Sequence, residues 1–198
     1  MVCYLLALAV VELLRRADAF DASNIAATPA AIGAGKLWLL VTSAFAVSGP
    51  PVPEICGTAI AVLLLAQKQG ATTFWLVAAI SHISATAIAY AGVGLLWLTA
   101  RSGVEGVVDN LDYGVSAVWM GVLGALWVGS LRLLRDGEDD RLDLALAFAC
   151  PIAAAIGFAF FSLLAGSEHL IAFGLGALVA WLRIRRLANP EPSAVTSV

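Results

Sequence analysis

Charge is scarce in this chain. Only 13% of its 198 residues are charged, against 61% hydrophobic, and the mean hydropathy is +0.93. A soluble domain of this length could not hide so much apolar surface, so the composition excludes an ordinary soluble protein and points to a membrane protein. Basic residues are not in excess. The net charge is -3 and the pI near 5.2, which removes the electrostatic footprint of a nucleic-acid binder. Cysteine is also sparse. Cys3, Cys56 and Cys150 lie far apart, in or beside apolar segments, with neither disulfide-framework nor metal-ligand spacing. They read as packing residues. No metal or cofactor site is legible.

Long apolar runs dominate what remains. Met1–Leu14 is apolar but short of the roughly 20 residues a crossing needs. No basic residue precedes it and Arg15-Arg16 follow, the reverse of a secretory signal. A polar, Ala-rich stretch, 17–35, and a short apolar piece, 37–47, come next. Ser48-Gly49-Pro50-Pro51-Val52-Pro53 then breaks any helix. Further apolar runs cover Val52–Ala66, Thr73–Ala100, Asp112–Leu134, Leu144–Ala165 and Ser167–Arg186. The expectation is an all-α polytopic bundle of six transmembrane helices. Five spans is the alternative, if Met1–Leu14 does not cross. Residues 1–187 form one membrane domain, and 188–198 a short disordered cytoplasmic tail.

Orientation follows from Lys and Arg placement. With a cytoplasmic N-terminus, the inner side holds Lys68, Arg132, Arg135, Arg141, Arg183, Arg185 and Arg186, seven in all; the outer side holds Arg15, Arg16, Lys36 and Arg101, four. This favours a multi-pass cell-membrane protein with both termini in the cytoplasm.

Polar groups inside a bilayer are costly and need a reason. Ser116 opens the fourth run and His169 the sixth. Alternating spans put both near the same, outer face. His169, Ala172, Gly176 and Ala180 share one helical face; Ala117, Gly121 and Ala125, with Gly124 nearby, line another. Small residues at this spacing let helix backbones approach closely. A close crossing brings His169 to Ser116, and imidazole can then make the hydroxyl nucleophilic. The alternative is that Ser116 bonds a backbone carbonyl and His169 sits at the interface. His82, deep in the third run beside Ser81, Ser84 and Thr86, is expected to bond helix neighbours, or else to serve the site or a proton path. Glu168 reads as an exposed charge at a helix start. Asp109 and Asp112 read as N-terminal helix signals, and the 136–140 acidic cluster as a solvated loop.

Gly114-Val115-Ser116-Ala117, Gly124 eight residues after the serine, His169 with Gly176 seven residues on, and Leu40-Val41-Thr42-Ser43-Ala44-Phe45 together resemble the rhomboid family of intramembrane serine proteases. The short stretches 81–86 and 112–116 resemble an actinobacterial branch of that family. The resemblance implies Ser116 as nucleophile and His169 as base, with no cofactor. It implies two partners, the lipid bilayer and single-span membrane proteins as substrates. It also implies oxyanion-stabilising His and Asn residues at the start of the second span. Counting from Phe45, these positions hold Val52 and Cys56. The aromatic that stacks on the base aligns with Met120. A catalytically inactive relative that binds transmembrane helices is the competing reading. A small transporter built around His82 is a third, disfavoured by the lack of an internal repeat.

Overall fold

A computed structural model describes residues 1–47, 49–100, 102, 104–137 and 140–188. Among these residues its elements are eight α-helices, with two 3-10 turns in the segment after the first helix. Among the described residues no β-strand occurs beyond one isolated bridge, Ala27 with Asp112.

The first helix, α1, is Val2–Arg16. Tyr4, Leu8 and Glu12 recur at i, i+4 and i+8 and are its buried face. Glu12 holds Arg15 and Arg16 at 2.8 Å, and these arginines suit the negative end of the helix dipole. The chain then winds through two short helices, α2 (Pro29–Gly33) and α3 (Leu39–Thr42). The Thr28 hydroxyl caps α2 through the Ala31 N–H, and the Thr42 hydroxyl donates to the Ile25 carbonyl. The Tyr4 hydroxyl donates to the Ala44 carbonyl at 2.9 Å, fastening this segment to α1.

The proline run does not keep helix away; it starts one. Pro51 and Pro53 lie in the first turn of α4 (Pro51–Gln69), where a missing N–H costs nothing. Gly70, at φ +86°, breaks α4 from α5 (Ala71–Thr99); a side chain rarely tolerates that left-handed backbone. The remaining long helices are α6 (Val115–Arg135), α7 (Arg141–Phe160) and α8 (Leu163–Ala188). Helix α8 begins four residues before the expected Ser167, and only Phe161 and Ser162 join it to α7.

Among the described residues four helices, α5 to α8, are long and apolar enough to cross a membrane. The protein is therefore all-helical and suited to a multi-pass, membrane-embedded position. Helix α6 is the hub, packing against α4, α5, α7 and α8. Helix α7 shows its apolar face outward: Phe148, Ile152 and Ile156 lie at i, i+4 and i+8 and are all exposed. Such a stripe suits contact with lipid.

At one end of the bundle an ion pair ties three helices together. Lys68 of α4 holds Asp143 of α7 at 2.8 Å, and the Ser130 hydroxyl of α6 donates to the same carboxylate at 2.6 Å. Asp143, which precedes the apolar run starting at Leu144, lies inside α7. The α6–α7 loop is shorter than the gap between the apolar runs because the Asp140 carboxylate caps α7 through the Leu142 N–H. Asp136 bonds Arg132, while Glu138 and Asp139 lie outside the described residues. So does the expected disordered tail, apart from Ala188, which ends α8. Of the cysteines only Cys150 is buried; Cys3 and Cys56 face outward rather than packing inside.

Candidate active site

The half of the α5–α6 loop that leads into α6 determines where Ser116 sits. Asp112 pairs with Ala27 in the isolated bridge, at 2.8 and 3.0 Å, and Ala30 N–H donates to Val108. Gly114 N–H donates to the Ser43 carbonyl at 2.9 Å. Helix α6 then starts with Ser116 in its first turn.

His169 lies in the second turn of α8 and is 2% exposed. Its Nε2 is 2.9 Å from the Ser116 Oγ. The other acceptor for that hydroxyl, the Tyr113 carbonyl, is at 3.4 Å, so the shorter contact favours donation to the imidazole. The serine is half-buried and the histidine almost wholly buried.

What brings them together is the α6–α8 seam. A Cβ on Gly176 would collide with the Gly121 carbonyl, and one on Gly124 with the Phe173 carbonyl. Both glycines are needed for backbones this close. Gly157 of α7 makes similar room for the imidazole: a Cβ there would lie 2.6 Å from Met120 Cε and 3.4 Å from His169 Nδ1. Nδ1 is buried against Gly157 with no hydrogen-bond partner among the described residues. Donation from the serine hydroxyl to Nε2 requires the tautomer with its proton on Nδ1. Phe161 packs its ring edge-on to the imidazole, with centroids 4.9 Å apart. The aromatic neighbour of His169 thus comes from the α7–α8 turn, while Met120, at the expected position, packs beneath Gly157.

Val52 and Cys56 are exposed on α4, Val52 by 61%, and provide no donor to an oxyanion. Backbone groups are available instead. The first N–H groups of a helix have no acceptor within it, and among the described residues neither Val115 nor Ser116 N–H bonds a carbonyl elsewhere. These donors, at the positive end of the α6 dipole, suit a developing negative charge beside Ser116.

His82 does not bond its helix neighbours. Its Nε2 is 3.2 Å from the Ser43 Oγ, across to the segment after α1. Gly114 rests on its ring so closely that a Cβ there would collide with it. His82 thus supports the backbone two residues before Ser116.

Glu168 departs most from expectation. It is 2% exposed, not a solvated cap, because α8 has already completed its first turn before reaching it. Its carboxyl accepts from the Thr86 hydroxyl at 2.5 Å and lies against Asp112, which accepts from the Tyr90 hydroxyl at 2.9 Å. Asp112 is accordingly not a helix-start signal but a loop anchor. Burial holds its carboxyl above the ordinary carboxylate range. Two carboxyl groups in contact are stable when they share one proton. This network ties α5, the loop and α8 together immediately beside His169. Its signal was present in the sequence: an acidic residue inside an apolar run requires a partner. Among the described residues, no three His, Cys, Asp or Glu side chains come together as metal ligands.

Comparison with protein-family models, with curated proteins and with solved structures finds no match.

Proposed function

We propose that this protein is a rhomboid-like intramembrane serine protease that cleaves single-span membrane proteins with a Ser116–His169 dyad. One observation carries the reading: the 2.9 Å contact between His169 Nε2 and Ser116 Oγ, at a helix N-terminus with free N–H groups. In this reading α1 and α4 are the first two of six spans, and the site opens to the outer face. Both termini are cytoplasmic, on the side rich in Lys and Arg.

The chemistry is acyl transfer. His169 Nε2 takes the Ser116 proton as the Oγ attacks the scissile carbonyl. The N–H groups of Val115 and Ser116 receive the oxyanion. The imidazolium then protonates the leaving amine, and water, activated by the same nitrogen, releases the acyl group. No carboxylate bonds His169 Nδ1, so the machinery is a dyad, its base held by Gly157 and Phe161.

Labelling of the detergent-purified protein with a fluorophosphonate serine probe tests this. Wild type should label and cleave a model transmembrane substrate; Ser116→Ala and His169→Ala should do neither at unchanged expression. Undiminished labelling of either variant would remove the dyad.

A second reading is a non-catalytic relative that holds transmembrane helices between its spans. The outward-facing Val52 and Cys56 favour it, since the side-chain oxyanion donors that the resemblance implies are missing. An unlabelled but folded wild type that retains a membrane partner after Ser116→Ala would establish it.

A further inference from the structure

At the end of the bundle away from Ser116, a groove of about 410 Å³ lies between the start of α5 and the end of α8. Leu76 and Ile80 of α5 line one wall. Val179, Leu182, Arg183 and Arg186 form the other, spaced i, i+3, i+4 and i+7 along one face of α8. The groove is therefore graded: apolar towards the middle of the bundle, cationic at its mouth. The third arginine of the cluster is occupied, because Arg185 stacks over the Trp181 ring at 4.0 Å. Arg183 and Arg186 have no acidic partner among the described residues, and Arg183 Nε is buried without any hydrogen-bond partner. A buried, unpaired guanidinium N–H is costly and calls for an acceptor. A tryptophan beside the mouth is typical of the headgroup level of a membrane.

We infer that this groove binds one anionic phospholipid, its phosphate on Arg183 and Arg186 and an acyl chain along Leu76, Ile80 and Val179. A soluble anion would use the arginines but leave the apolar wall bare; a neutral lipid would fill the wall but leave both charges unpaired. Only an amphiphile with an anionic head satisfies both parts. The inference rests on the membrane-embedded helices, not on the proteolytic reading.

Native mass spectrometry of the full chain, released from micelles containing equal phosphatidylglycerol and phosphatidylcholine, tests it. Phosphatidylglycerol should be retained in preference. Each arginine near a membrane surface is worth about 1 kcal/mol, or about fivefold, so Arg183→Gln with Arg186→Gln should cut retention by roughly 25-fold. The paired lysine replacements should keep most of it. Ile80→Trp, which fills the groove and leaves both charges, should also lower it, whereas Arg132→Gln with Arg135→Gln should not. Equal retention of the two lipids would overturn the site. So would a loss just as large in the Arg132 and Arg135 variant, or undiminished retention in Ile80→Trp. Displacement by soluble glycerol phosphate would reduce it to a phosphate site with no place for a chain.

Discussion

The molecule contains two Ser–His pairs, and they are alike in most respects. His169 and His82 are each 2% exposed, each meets a serine through Nε2, and each has an Nδ1 without a full hydrogen bond. Their surroundings differ. Ser116 is half-buried at the start of a long helix, beside unpaired N–H groups. Ser43 is fully buried at the end of the four-residue α3, and its carbonyl is already bound by Gly114 N–H. Contact between the two side chains therefore does not make a nucleophile. In the proposed reading, access for a substrate and donors for the oxyanion make the difference, and the half-buried Ser116 at its helix start is the better placed of the two. The other pair works as a brace, holding the loop that delivers Ser116.

The widest separation between the pairs should come from removing each hydroxyl. Ser116→Ala should lower cleavage by about 10⁶, the scale seen when a serine nucleophile is lost. Ser43→Ala should retain probe labelling but lose about 1–3 kcal/mol of stability, because His82 Nε2 is left unpaired in the interior. Labelling at matched protein concentration and thermal unfolding in detergent read the two effects. Equal loss of labelling in both variants would erase the distinction.

Gly176→Val should come next. The new side chain meets the Gly121 carbonyl and forces α8 away from α6. Overpacking of this kind costs about 1–3 kcal/mol, and a misplacement of about 1 Å can cost about 10² in rate. Labelling should fall although Ser116 and His169 are both present.

A smaller effect should appear in the Asp112–Glu168 network. The Asp112 carboxyl is held above its ordinary range, so the folded state binds its proton more tightly than the unfolded chain does. The anchoring is complete below the ordinary carboxylate range and is lost as pH rises through the raised value. Hydrogen exchange at the Ala27 and Asp112 amides, corrected for intrinsic rate, should quicken over that window. Asp112→Asn, which keeps a neutral partner for Glu168, should flatten the dependence. The smallest change is expected from Val52→His with Cys56→Asn. Both positions face outward, so supplying donors there should leave the cleavage rate unimproved; a clear gain would mean that the start of α4 does reach the oxyanion.

The seam was the most legible part of this molecule. Gly121, Gly124 and Gly176 stand at helical spacing in apolar runs, and close approach follows from their lack of side chains. The meeting of Ser116 with His169 then follows from register. The Asp112–Glu168 network was much harder to read. Thr86, Tyr90, Asp112 and Glu168 come from three distant places, and nothing local couples them. Asp112 looked like a helix signal because helix-start statistics cannot see Ala27, which pairs with it across the fold. Glu168 was misplaced for a different reason: α8 starts earlier than its charge pattern suggests, which moves the residue from a frayed end into the interior. Phe161 was hidden because the aromatic expected near the base was sought on α6 rather than in the turn before α8.

The two-residue connection between α7 and α8 has a consequence for timing. Two extended residues reach only about 7 Å, too little to fold over a bound peptide, so Phe161 and Ser162 cannot act as a closing flap. Enzymes with such flaps often turn over at the speed of their opening. Here the approach to the dyad would be set by how a substrate helix parts packed neighbours within the lipid, and a single-turnover trace should begin without a lag for ordering that connection.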